Sequence, residues 1–130
     1  MPPSFRRAYA SWNNTNPQLE RRLYFLEDAR RYIRANFSAA HLHTFDTLLP
    51  YAYKCDFFRY LLLYHEGGYY SDARQVARKH LGTVFEPSMT WFSALDLGGR
   101  PMYNAFLASV KGHPWLRHCI ELVIKHVRSY

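Results

Sequence analysis

The chain has 130 residues, 48% of them hydrophobic and 18% aromatic, with a formal net charge of +7. That length and apolar share predict a single domain over residues 1–130 with a core of its own, and argue against wholesale disorder. No apolar run approaches the roughly 20 residues of a membrane span, and the opening MPPSFRR lacks the apolar stretch of a signal peptide.

The basic excess is uneven. Residues 1–37 hold seven Lys and Arg against three acids, a surface that suits anions or is simply solvated. The run Asn13-Asn14-Thr15-Asn16-Pro17 predicts a turn. Residues 21–26 predict a short strand. Asp28 then predicts an N-cap for a helix to about Phe37, with Ala29, Tyr32 and Ile33 on one face. A second short helix fits 39–48, stopped by Pro50. The clearest helix spans 51–66, apolar nearly all round and therefore expected to be buried, with Gly67 and Gly68 ending it. Tyr69 to Asp72 predicts a strand closing on a carboxylate, and 89–95 predicts another, followed by a turn at Gly98-Gly99. Residues 103–110 fit a strand or a helix. His113-Pro114 opens a last amphipathic helix to about Val127, with Leu116, Ile120, Val123, Ile124 and Val127 facing inward. Short strands alternating with helices predict an α/β layer architecture.

Asp56 and Arg59 are three apart on the central helix and so share a face with Ala52 and Leu63. Burying either charge alone is costly. The pair is therefore either an internal ion pair that tethers the helix, or a polar grip on a ligand's hydroxyls and phosphates. Arg suits the second role because its planar fork donates two parallel hydrogen bonds. Asp72 would sit at the C-terminal end of the next strand, where open α/β sheets bind ligands. The three groups are expected to face one crevice.

These residues carry a family pattern. Ala52-Tyr53-Lys54-Cys55-Asp56-Phe57-Phe58-Arg59-Tyr60, then Leu63-Tyr64, Gly67-Gly68, Tyr70 and Asp72, resembles the sugar-binding region of family thirty-two glycosyltransferases. Asn104-Ala105-Phe106, Ala108-Ser109 and Gly112-His113-Pro114 downstream, with Ser11-Trp12 and Asn16-Pro17 upstream, extend the resemblance over about residues 9–127. It implies a partial GT-A (Rossmann-like) nucleotide-sugar-binding fold with a short central sheet flanked by helices. It implies a UDP- or GDP-hexose donor, a glycan or lipid acceptor, and a divalent Mn2+ or Mg2+. Ala52, Asp56, Arg59, Tyr60, Gly68 and Asn104 would then bind substrate, and Asp72 would match the first carboxylate of an Asp-x-Asp motif.

Two departures shape the expectation. Arg74 stands where the second Asp belongs. Either metal binding at Asp72 is lost and activity with it, or Arg74 itself neutralises the leaving diphosphate, and Asp72 and Arg74 become the catalytic pair. The family's usual first strand and C-terminal segments are also not seen, so the chain reads as a fragment or a degenerate copy. Eukaryotic relatives imply a Golgi or secretory membrane, reached through an anchor not seen here; otherwise a cytoplasmic location is expected.

The leading reading is hexosyl transfer, with mannose the sugar that the resemblance suggests. The alternative is an inactive member of the same fold that binds a sugar nucleotide or a protein partner. Nucleic acid is not expected, because the aromatics lie on apolar helix faces rather than between Lys and Arg. His41 and His43 lack a spaced third ligand for zinc. Cys55 and Cys119 lack metal spacing. Lys54, Asn104 and Asp96 could line a cleft, although a structural or solvated role is the stronger expectation for each, and Trp12, Trp91 and Trp115 are expected in the core.

Overall fold

The computed structural model describes residues 2–83, 85, 86, 88–94 and 103–129, with the side chains of 83, 94 and 103–105 outside that description. Asp96 and the Gly98-Gly99 turn therefore lie outside the described residues. The described chain is α/β: five α-helices and a three-stranded sheet. Its contacts divide it into two units, Met1–Leu23 with Ser71–Met89, and Tyr24–Tyr70 with Thr90–Tyr130.

In the first unit, α1 (Pro3–Thr15) opens with Pro at the start, where a missing N–H costs nothing. Sequence reasoning overlooked this helix and expected a turn from Asn13. Phe5, Ala8, Tyr9 and Trp12 do recur at i, i+3, i+4 and i+7, the spacing of one helical face, and Ala8 is fully buried. The helix ends at Asn16, whose N–H still reaches the Trp12 carbonyl. The unit's other stretch, residues 72–83, holds a turn and the short 3-10 helix Leu81–Thr83.

The second unit holds the larger core. Its helices are α2 (Leu26–Asn36), α3 (Ala39–Thr47), α4 (Tyr51–Glu66) and α5 (Pro114–Arg128). Ala29, Ile33, Phe45, Phe57, Phe58, Leu61 and Ile120 form one buried cluster, with Val123 and Ile124 packed against it. The expected inward faces of α2 and α5 are therefore present. The predicted strand at 21–26 is absent. Tyr24 instead packs edge-on to Tyr32 and against Phe58, and α2 begins at Leu26. Asp28 is not the N-cap. It lies in the first turn, where its Oδ2 accepts the Phe25 N–H at 2.9 Å. A carboxylate there answers an orphan donor and the positive end of the helix dipole.

α4 is not buried all round. Tyr51 and Tyr53 in its first turn are exposed, while Phe57, Phe58, Leu61 and Leu63 are buried. Gly67 (φ +71°) and Gly68 (φ +109°) turn the chain from α4 into β1 (Gly68–Ser71). A Cβ on Gly67 would lie 2.7 Å from the Lys111 backbone nitrogen, so the site needs glycine for space as well as for φ. The following loop locks on, with Gly112 N–H donating to the Tyr64 carbonyl at 2.8 Å.

Residues 103–110 resolve as strand. The sheet order is β1-β3-β2, with β2 (Trp91–Ala94) antiparallel to β3 (Tyr103–Ser109) and Phe92 opposite Ala108. Tyr70, Trp91 and Leu107 lie on the face packed with Leu63 and Leu116 into a second cluster. Alternation places Tyr69, Phe92 and Phe106 on the other face, where Tyr69 stacks on Phe106. Trp91 thus joins the core as expected. Trp115 does not: it is half exposed at the start of α5. His113 does serve that helix start, its Nδ1 accepting the Trp115 N–H at 3.0 Å.

Candidate functional site

α4 positions the first pair. Arg59 Nη2 lies 3.2 Å from Asp56 Oδ1, and the two side chains differ sharply in exposure, 6% for Arg59 and 39% for Asp56. Arg59 Nε donates to the Cys55 carbonyl at 3.2 Å. Its guanidinium also lies over the Tyr70 ring, 4.7 Å from the centroid. The helix thus buries the cation, ties it to the strand that follows, and leaves the carboxylate toward solvent. Of the two sequence-level explanations the ion pair is present, and its acid is the more accessible member.

The neighbouring positions sort differently. Ala52 is exposed one turn before Asp56. Tyr60 packs against both hydrophobic clusters, so its ring is part of the core. Lys54 is engaged elsewhere: its Nζ donates to the carbonyls of Phe45 at 2.6 Å and Asp46 at 3.2 Å, and lies over the Phe45 ring. A cation there satisfies the orphan carbonyls at the end of α3. A Cβ on Gly68 would meet nothing within 4 Å, so that position is open. Asn104 lies in β3, and its side chain is outside the described residues.

The second pair lies on a turn. Gln75 N–H donates to the Asp72 carbonyl at 3.1 Å, closing Asp72-Ala73-Arg74-Gln75 immediately after β1. Ser71 Oγ donates to Gln75 Oε1 at 2.7 Å across the base of that turn. Asp72 is half buried and Arg74 exposed. The Arg74 guanidinium lies over the Phe5 ring of α1, 5.3 Å from the centroid. The structure therefore joins Asp56 to Arg59 in an ion pair and places Asp72 and Arg74 on one turn. The two pairs belong to different units.

Residues 2–92, which include both pairs, match the family described as the glycosyltransferase sugar-binding region containing the DXD motif. The chain belongs to that family. Over 117 residues it is 30% identical to an uncharacterized glycosyltransferase of Acanthamoeba polyphaga mimivirus, covering 82% of this chain and 47% of that protein. It is 28% identical over 130 residues to inositol phosphoceramide mannosyltransferase 2 of Schizosaccharomyces pombe, covering 100% of this chain and 36% of that protein. The chain thus spans less than half the length of these curated relatives. No solved structure matches it.

The Asp72–Gln75 turn lies inside the stretch that matches the DXD glycosyltransferase family. Its sequence there is Asp72-Ala73-Arg74. These residues fit a divalent cation poorly. Asp72 offers one carboxylate, the next polar position is a cation, and no three His, Cys, Asp or Glu among the described residues gather as a metal site.

Sequence reasoning passed over the importance of Ser11 and Asn16 as hydrogen-bonding side chains. Asn16 is 1% exposed. An amide that ends a helix and precedes Pro17 was the available signal, since a buried Asn needs partners for both ends of its side chain.

Proposed function

We propose that this chain is the donor-binding part of a glycosyltransferase that moves a hexose from a nucleotide sugar to a glycan or lipid acceptor. The observation that carries the reading is the closed turn after β1, with Asp72 at its head and Arg74 two positions on, in a chain of the DXD family. The fungal relative's name makes mannose, and hence GDP-mannose, the first donor to try. A GT-A-type nucleotide-sugar fold is part of the same reading.

Each residue takes a role its surroundings support. Asp56 orients sugar hydroxyls, because its carboxylate is the exposed member of the pair on α4. Arg59 is a positioning residue that fixes Asp56 and holds Tyr70. Ala52 and Gly68 supply wall rather than charge, both positions being open to solvent. Asp72 accepts hydrogen bonds from the donor. Arg74 stabilises the charge that develops on the departing diphosphate, a role a guanidinium can fill with two parallel N–H donors. Leaving-group stabilisation of this kind needs no divalent ion at position 74.

Equilibrium binding and single-turnover hydrolysis with GDP-mannose and UDP-glucose, with and without EDTA, test the proposal. Binding is expected to persist in EDTA and to weaken at least tenfold in Arg74→Ala and Asp72→Asn. Binding abolished by EDTA sinks the role of Arg74. Binding without hydrolysis in single turnover favours a family member that holds a sugar nucleotide without turning it over.

A further inference from the structure

The chain following the Asp72–Gln75 turn forms no strand or helix until Leu81, yet its backbone is held at alternate residues. All the holding groups come from α1 and its cap. Trp12 Nε1 donates to the Gln75 carbonyl at 3.0 Å. Ser11 Oγ accepts the Ala77 N–H at 2.8 Å and donates to the Ala8 carbonyl at 2.6 Å. Asn16 Nδ2 donates to the Lys79 carbonyl at 3.3 Å and to Thr15 Oγ1 at 2.9 Å, and Asn16 Oδ1 accepts the Leu81 N–H at 2.7 Å. Residues 75, 77, 79 and 81 are thus gripped by three side chains, as a neighbouring strand would grip them.

We infer that Ser11, Trp12 and Asn16 are positioning residues for the donor: they fix the strap 75–81 and through it the turn that carries Asp72 and Arg74. This rests on the donor site proposed above. The turn closes on Gln75, and Gln75 is the first residue α1 takes hold of. The same helix supplies Phe5 beneath the Arg74 guanidinium. An extended loop without ladder hydrogen bonds samples many conformations, and ordering it in advance removes that cost from ligand binding. Of the three side chains, the Ser11 hydroxyl and the Asn16 amide accept from backbone N–H groups whose loss of partner exposes them to solvent exchange.

The test pairs amide hydrogen exchange of the strap with GDP-mannose and UDP-glucose binding, in Ser11→Ala, Asn16→Ala and the hydroxyl-retaining Ser11→Thr. Exchange of the buried α5 amides around Leu116 and Ile120 serves as the fold control in every variant. The alanine variants are expected to speed exchange at Ala77 and Leu81 at least tenfold, leave α5 unchanged, and weaken the better donor at least fivefold. Ser11→Thr should restore both readouts. Unchanged exchange in the strap overturns the inference. Faster exchange with wild-type donor affinity also overturns it, because the clasp would then be structural only. If the unaltered chain binds neither nucleotide sugar, the donor reading fails and the positioning role falls with it, whatever the exchange data show.

Discussion

Arg59 is held almost out of water by Asp56, the Cys55 carbonyl and the face of Tyr70. Lysine could keep the charge but not the fork, and would stack poorly on the ring. Arg59→Lys should therefore cost about 1.5–3 kcal/mol in chemical denaturation, the range for hydrogen bonds to charged groups. The i, i+3 spacing made it legible in the sequence that Asp56 and Arg59 would meet. It did not reveal which would be buried, because a shared helix face says nothing of how far each side chain reaches toward its neighbours. Sequence reasoning leaves Lys54 either to line a cleft or, more strongly, to serve structure, and its ammonium does the latter by closing the end of α3. Lys54→Met should lower stability by about 1.5 kcal/mol, read as a shift in urea midpoint, with no effect on donor affinity at saturating fold.

Among the elements, the passage from α4 to β1 depends on one glycine. Gly67→Ala would meet both a left-handed backbone and the Lys111 nitrogen, so a loss of about 1–3 kcal/mol is expected, measured by thermal or urea melts. The Gly-Gly stop was readable because only glycine adopts that backbone cheaply. The strand expected at 21–26 failed for a different reason. Aromatic residues suit a strand only where a partner strand exists, and here Tyr24 finds its partners in the rings of Tyr32 and Phe58. The start of α3 carries a pH signature. His41 packs at a tilt against Phe37 and bonds Ser38 Oγ through Nδ1, and burial pushes its pKa below the usual histidine value. The unfolded chain then binds the proton more readily than the folded one. This contribution to stability is full above the unfolded value of about 6.5 and is lost as pH falls through the lower folded value. Melts of His41→Gln against the unaltered protein should converge in acid and diverge toward neutrality, or the burial of this imidazole has been misread.

For the whole molecule, the α/β class was legible from alternating short strands and helices, and the family from its central block of residues. α1 was not, because Asn and Ser near its end mask a four-residue apolar face with turn chemistry. The net charge of +7 belongs to this scale as well. A polyanionic donor should be drawn in by the summed field, so its association rate should fall steeply between low and high salt, with dissociation less affected. Stopped-flow association of GDP-mannose that ignores ionic strength would count against that attraction.

The clasp on the strap works almost wholly through main-chain atoms of Gln75, Ala77, Lys79 and Leu81. Backbone handles are blind to side-chain identity. Positions 76 and 78, an exposed Val76 and an exposed Arg78, can therefore be rewritten without loosening what holds the loop in place. That makes the strap a natural spot for an engineer's library to vary exposed side chains while the scaffold beneath them stays the same.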